Sequence, residues 1–148
     1  MSITLIIQDA RWRKAKGLTP RLKRAVREAL RQGGAAPDDD LTVLLSTDAR
    51  VKTLNRSFRH KDAATNVLSF PAGLDSYLGD IAIAYGVTAK EARASGKTLQ
   101  NHAIHLAVHG VLHLLGFDHT TPRKAKIMEP LEVAILKTQK IADPYEAA

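Results

Sequence analysis

Short apolar runs along the chain predict four β-strands. Runs of four to eight β-branched and aliphatic residues, bounded by turn-forming residues, are typical of strands. The predicted strands are Ile3–Ile7, Leu41–Leu45, Asn66–Phe70 and Leu78–Tyr85. We expect the third strand to end at Pro71, because proline has no N–H to donate to a sheet.

Apolar residues at helical spacing predict five helices. The first begins with Thr19 as N-cap and Pro20 as first helical residue, and ends at Gly33-Gly34. The others are a short helix capped by Thr47 or Asp48, one opened by a capping box at Thr88–Glu91, one from Thr98 to Leu115, and one that starts at Thr121-Pro122. Pro130 should kink or split the last helix.

Strands that alternate with helices predict a small α/β (α+β) domain. The chain has 148 residues, with no internal repeat and no stretch that reads as a linker. A length of this order corresponds to one domain. We therefore expect a single domain over residues 1–148 with about four strands.

The net charge of +7 is concentrated at the start of the chain. Nine basic and two acidic side chains lie within the first 35 residues, and the remainder of the chain is balanced. Such a segment suits an anionic partner, with nucleic acid the first candidate and an anionic membrane surface the second. A solvated helix face is the structural alternative. The candidate RNA contacts on the first helix are Arg21, Lys23, Arg24 and Arg27.

The N-terminus does not resemble an export signal. Its apolar run, Ile3–Ile7, is too short, and the basic residues follow it instead of preceding it. No apolar stretch has the length of a membrane span. The chain also has no cysteine, which excludes disulfides and thiolate metal sites. We expect a cytoplasmic protein with no membrane association.

The spacing His109-x3-His113-x2-Gly116-x2-His119 predicts a metal site. His109 and His113 lie one turn apart on the same helical face. Gly116 allows the chain to turn back and to bring His119 in as a third ligand. Three histidines with an open fourth position are typical of catalytic zinc, although such ligands also accept Ni, Co or Cu. His102, His105 and Asp118 are candidates for a supporting role around the ligands, or for packing and a turn.

This spacing also occurs in metzincin peptidases, whose motif has Glu directly after the first histidine. That Glu is the general base of the peptidases, and here Gly110 takes its place. A metal ion still lowers the pKa of the water that it binds, which suits a more reactive electrophile such as an RNA phosphodiester. A phosphodiester also calls for a nearby cation. The candidates are Arg56, Arg59 and Lys61.

Four segments together resemble the YbeY endoribonucleases, a family of rRNA maturation factors. They are L-N-x-x-F-R-x-K-D-x-x-T-N-V-L-S-F-P (54–71), L-G-D-I-A-I (78–83), H-x-x-H-L-x-V-H-G-V-L-H-L-L-G-F-D-H (102–119) and D-P-Y (143–145). The match runs in order over nearly all of residues 41–145. Two departures are mild: Phe117 stands where the family also has Tyr, and Ala63-Ala64 replaces a frequent Lys-Pro.

The resemblance implies a zinc-dependent endoribonuclease that is specific for single strands. It implies a mixed sheet flanked by helices around a metal cleft, with one Zn²⁺ per chain on His109, His113 and His119. It also implies an RNA-contacting Arg59 in the cleft. His113 and Arg59 are accordingly the expected catalytic residues. It also implies a role in 16S rRNA 3′-end maturation and ribosome quality control, with the small ribosomal subunit and its assembly factors as partners. The alternatives are an assembly factor with a structural metal and a metallopeptidase.

Overall fold

The structure is a computed structural model. It describes residues 1–59, the last of them by its backbone alone, and residues 65–146. The side chain of Arg59 and the whole of Lys61, both expected to contact RNA, lie outside the described residues. Within the described part, no helix is both long enough and apolar enough to cross a membrane.

Within the described residues, four strands form one mixed sheet, as expected, and their order is β1-β2-β4-β3. The strands are β1 (Ile3–Ile7), β2 (Asp40–Ser46), β3 (Val67–Leu74) and β4 (Tyr77–Ala84). β1 and β4 pair with β2 in parallel, and β3 pairs with β4 antiparallel. β3 therefore lies at one edge of the sheet.

The helices confirm the expected number and order. A 3₁₀ helix (Ala10–Lys14) follows β1, and five α-helices are described: α1 (Leu18–Gln32), α2 (Asp48–Arg59), α3 (Tyr85–Ala94), α4 (Leu99–Leu114) and α5 (Pro122–Thr138). Thr98 and Thr121 are N-caps as predicted, and each accepts a hydrogen bond from the backbone N–H three residues on. Thr47 caps α2, since its hydroxyl accepts from the Arg50 N–H at 3.0 Å.

Two predicted helix starts are wrong. α1 begins at Leu18 with Gly17 as N-cap, and Gly17 takes a left-handed φ of 79°. α3 begins at Tyr85, so Thr88 lies buried inside the helix and forms no capping box. The N-terminus of α3 is instead satisfied from α2, because the Asp48 carboxylate accepts from the Val87 N–H at 3.1 Å. A contact between residues 39 apart leaves no local signal in the sequence.

The predicted end of β3 at Pro71 is wrong, and of the kink or split predicted at Pro130 the split does not occur. β3 continues through Pro71 to Leu74, because an edge strand leaves one side of its backbone without a sheet partner. The register of β3 against β4 shifts between Pro71 and Leu74. α5 is one helix across Pro130 and is not split.

The central strands carry apolar residues toward both faces of the sheet. In β4, Ile81 and Ile83 join a large core with α1, α4 and α5, whereas Ala82 and Ala84 face a smaller cluster on α2. The molecule thus has three layers, with α2 on one face of the sheet and α4 packed against the other. α4 is the central helix of the larger core.

Gly110 is a point of close contact between α4 and the sheet. A Cβ placed there would lie 2.8 Å from Ile81 Cγ2 and 3.1 Å from Ser69 Oγ. The Ser69 hydroxyl donates to the Gly110 carbonyl at 3.1 Å. Position 110, where the peptidases carry their Glu, therefore faces the sheet and has no room for a side chain.

We expect Gly110→Glu to destabilise the protein by at least about 3 kcal/mol, because the side chain would have to separate α4 from Ile81. Urea unfolding measures this loss. Gly96→Asn is the control, since Gly96 has a left-handed φ of 68° and nothing within 4 Å of an added Cβ. A fully stable Gly110→Glu protein that cleaves peptides would contradict the packing argument.

Candidate metal centre

The end of α4 brings the three histidines of the motif together. Gly116 has a φ of 97° and donates to the His113 carbonyl, while Phe117 N–H donates to the Leu112 carbonyl, both at 3.0 Å. This pair of bonds is the Schellman motif that ends a helix through a left-handed residue. The predicted role of Gly116 is confirmed, and the chain turns back to place His119 beside α4.

His109, His113 and His119 form a group that could hold a metal ion. Each offers one ring nitrogen, and the three nitrogens lie within 4.8 Å of one another. The ring centroid of His109 lies 4.5 Å from that of His113 and 5.0 Å from that of His119. His109 and His113 are half-buried and His119 is exposed, so the group is reached from solvent.

Glu132 of α5 holds the first of these histidines and was not predicted from the sequence. Its side chain is fully buried, and its Oε1 accepts from His109 Nδ1 at 2.6 Å. The other oxygen lies 3.1 Å from His105 Nε2 and 2.5 Å from the Tyr145 hydroxyl. Burial raises the pKa of Glu132, but the hydrogen bonds from His105, His109 and Tyr145 outweigh it and leave the pKa at about 2. The carboxylate is therefore ionised at neutral pH.

The Glu132 bond decides which nitrogen of His109 is available. With its proton on Nδ1, His109 presents a lone pair on Nε2, which faces His113 Nε2 at 2.9 Å. Two lone pairs at this distance repel each other, so either a proton or a cation must lie between them. Neutral imidazoles held by a buried carboxylate are the usual ligand set for zinc. The residues present thus fit a metal ion.

Tyr145, in the segment after α5, donates a further hydrogen bond to the Glu132 carboxylate. Burial raises the pKa of its hydroxyl, and the hydrogen bond to Glu132 raises it further, so the hydroxyl remains a donor. Its ring meets that of His105 edge-on at 5.9 Å. The D-P-Y segment therefore has a structural function, which is to complete the partners of a buried charge.

The three candidates for a supporting role have different surroundings. His105 reaches the ligands through Glu132. His102 is buried against α3, where its Nε2 lies 2.9 Å from Glu91, and burial lowers its pKa. Glu91 also accepts from Asn66 at 3.0 Å, so His102 supports the segment that leads into β3. Asp118 accepts hydrogen bonds from Thr120 and Lys124. Its contacts are therefore those of a residue that stabilises a turn.

A cleft of about 590 Å³ lies in front of the histidines. One wall is the start of β3 and the other is the exposed face of α4, with Tyr145 at the rim. The described lining residues are Asn66–Ser69, Pro71, His105, Leu106, His109, His113, His119 and Tyr145. Two signatures that lie more than 30 residues apart in the sequence, the strand motif and the histidine motif, therefore face each other.

The predicted phosphate contacts lie on two sides of the molecule. Arg56 is on the exposed surface of α2, which packs on the face of the sheet opposite α4. Arg59 is the last residue of α2, immediately before the undescribed residues 60–64. Arg21 and Arg24 line a separate groove with the start of α4, whereas Lys23 and Arg27 of the same helix are not among its lining residues.

We expect the purified protein to bind one metal ion per chain and His113→Ala to lose it, because two imidazoles give much weaker binding than three. Elemental analysis after dialysis measures this. His102→Asn serves as the control, since that ring contacts Glu91 instead of the ligand group. Equal metal content in His113→Ala and the parent would rule out the site.

We expect Glu132→Gln to weaken metal binding by about 10–100-fold, because the amide is a poorer acceptor for the His109 N–H. Competition with a chromogenic chelator measures the affinity, and thermal unfolding checks the fold. Glu129→Gln is the matched control three residues earlier on α5. Unchanged affinity in folded Glu132→Gln would show that the contact is structural only.

Comparison with known proteins is consistent with this geometry. Residues 7–140 match the family model described as Endoribonuclease YbeY. A protein named Endoribonuclease YbeY from Maricaulis maris is 40% identical over 146 residues, which is 97% of this chain and 91% of that protein. Another of that name from Rhodopseudomonas palustris is 44% identical, covering 95% of this chain and 87% of that protein.

The fold is similar to a solved structure as well. The solution structure of TM1509 from Thermotoga maritima superposes with a TM-score of 0.64 at 24% identity, covering 98% of this chain and 99% of that one. At that identity the likeness concerns the fold alone. The family match, extending from β1 to the end of α5, shows that this chain belongs to the YbeY endoribonuclease family.

Proposed function

We propose that this protein is a zinc-dependent endoribonuclease that cleaves single-stranded RNA. The observation that carries the proposal is the group of three converging imidazoles at a cleft of about 590 Å³, in a chain of the YbeY family. Curated relatives at 40% and 44% identity carry the name endoribonuclease. Three imidazole ligands suit Zn²⁺, and we propose one ion per chain.

Each described side chain of the site has a task in this proposal. His109, His113 and His119 would hold the metal, and Glu132 keeps the His109 proton away from it. When bound, the metal would act as a Lewis acid toward a phosphate and lower the pKa of water. Gly110 supplies no general base, which suits a phosphodiester better than an amide.

Substrate binding in this proposal depends on Arg59 and on the walls of the cleft. The guanidinium of Arg59 would pair with phosphate oxygens and stabilise the negative charge that grows in the transition state. Arg56 and Lys61 would contribute further contacts to the phosphate backbone of the RNA. A cleft bounded by one edge strand and one helix suits an unpaired strand, which can pass through a space too narrow for a duplex.

The cellular role that we propose is the processing of rRNA in the cytoplasm, notably at the 3′ end of 16S rRNA, together with ribosome quality control. The partners would be the small ribosomal subunit and its assembly factors. The family assignment supports this role. Mapping of rRNA ends in cells that lack the protein, rescued with the parent or with Arg59→Ala, tests it.

We expect Arg59→Ala to lower the cleavage rate of unpaired RNA by about 10²-fold, because a charged donor to the transition state is lost. A gel assay with end-labelled RNA measures the rate, and a chelator should abolish it in the parent. Arg50→Ala is the matched control, an exposed arginine near the other end of α2. Parent-level cleavage by Arg59→Ala would contradict the assigned role.

The two alternatives give different results in the same experiments. An assembly factor with a structural metal would bind small-subunit particles, and His119→Ala would leave rRNA ends unchanged. A metallopeptidase would cleave peptides and leave RNA intact, and a chelator would abolish its peptide cleavage. Loss of mature ends in His119→Ala, with intact peptides, supports the nuclease.

A further inference from the structure

A second concave surface, larger than the histidine cleft, lies at the opposite end of α4. We call it the basic groove; its volume is about 1060 Å³. Its walls are the segment after the 3₁₀ helix, one side of α1, the first turn of α4 and the end of α5. Five of its lining residues are cationic, and none of the described ones is acidic: Lys14, Lys16, Arg21, Arg24 and Lys140 are the five.

Neutral side chains hold Arg21 in place at the wall of the basic groove. Arg21 donates to Gln100 Oε1 at 2.8 Å and to Asn101 Oδ1 at 2.9 Å, and both acceptors are neutral amides. Gln100 is itself fixed, because its amide donates to the Lys16 carbonyl at 2.6 Å. The guanidinium is thus held in place without a carboxylate, and donors remain for a ligand.

Two other arginines near the N-terminus show the contrast. Arg11 is paired with Asp9 at 2.6 Å, and Arg31 is paired with Glu28. Those pairs cancel their own charge at the surface. Arg21, which lines the groove, has amide partners instead, so its charge adds to a concentrated positive potential suited to a polyanion.

A third depression, whose charged lining residues are Lys97 and Asp143, lies beside α4 between the basic groove and the histidine cleft. It shares Thr98 and Asn101 with the groove and shares His105 with the cleft. Asn101, His105 and His109 follow one another at four-residue spacing, so they lie along one face of α4. Nine residues of helix separate Gln100 from His109, which corresponds to about 14 Å. That is about four nucleotides at the 3.4 Å spacing of a stacked strand.

We propose that the basic groove binds the phosphate backbone of the RNA strand whose neighbouring segment lies in the histidine cleft. The inference rests on the proposed function. It makes the groove an affinity site that positions a longer unpaired RNA along α4, with cleavage in the histidine cleft. It also divides the basic segment into two parts: Lys14, Lys16, Arg21 and Arg24 face the RNA, while Arg13, Lys23 and Arg27 do not.

Two triple variants test this division. The groove variant carries Lys14→Gln, Lys16→Gln and Arg24→Gln, and the control carries Arg13→Gln, Lys23→Gln and Arg27→Gln. Both remove three positive charges from the same two elements, the 3₁₀ helix with its following segment and α1. Arg21 is left intact because it also joins α1 to α4. Thermal unfolding confirms that both variants are folded.

Fluorescence anisotropy with a 20-nucleotide unpaired RNA over a salt series gives the affinity, and cleavage of the same RNA gives kcat and KM. For the groove variant we expect at least a tenfold weaker Kd at low salt, a matching rise in KM and an unchanged kcat. The slope of log K against log salt should fall by about 2, since each lost phosphate contact on a single strand contributes about 0.7. The control variant should behave like the parent.

Three results would overturn the proposal. Equal losses in both variants would show that net charge, and not the groove, attracts RNA. Parent-like affinity in the groove variant would exclude the groove. If the groove variant lost binding to phosphatidylglycerol vesicles and kept the RNA affinity of the parent, the partner of the groove would be a membrane surface. If the parent protein bound RNA without cleaving it, the proposed function would be wrong. The comparison of RNA affinities between the two variants would still test the groove.

Discussion

The candidate site depends on one buried charge, the carboxylate of Glu132. A carboxylate with no exposure to water is costly unless its oxygens accept several hydrogen bonds. Here α4 supplies two donors, His105 and His109, and the segment after α5 supplies the hydroxyl of Tyr145. Satisfying this charge therefore fixes α5 against α4, sets the tautomer of His109 and anchors the end of the chain. Structure and chemistry are coupled at a single side chain.

The second constraint is the close contact of α4 with the sheet at Gly110. The absence of a side chain lets the helix approach Ile81 and Ser69. His109 and His113 therefore line the same cleft as the start of β3. The same glycine removes the general base that a peptidase would need. Packing and chemistry are thus linked at one residue: Gly110 lets α4 approach the sheet, and it leaves the site without the Glu on which the peptidase mechanism depends.

Much of the fold and the centre of the site could be predicted from the sequence because the signals are local. The strand runs, the caps Thr98 and Thr121, the histidine spacing and the left-handed Gly116 all depend on neighbours within a few residues. The predicted start of α3 was wrong because a tertiary contact replaces the apparent threonine cap, whereas α1 begins at Leu18, after a left-handed Gly17. Asp48 caps α3 from another helix, and Pro71 is tolerated because β3 is an edge strand.

The features that sequence reasoning missed are pairings between distant segments. Glu132 sits on a helix with ordinary polar spacing, and only its burial against His105 and His109 distinguishes it from Glu129. In the same way, the charge of Arg21 is not distinctive in the sequence. What distinguishes it is that its partners, 79 and 80 residues away, are amides. The neutral amides hold the Arg21 guanidinium in place without cancelling its charge. The buried Glu132 carboxylate holds His109, a candidate metal ligand, in place through the ring nitrogen that does not face the other histidines. α4 carries both arrangements, one at each end, and so joins a surface suited to holding a polyanion to a site suited to cutting one.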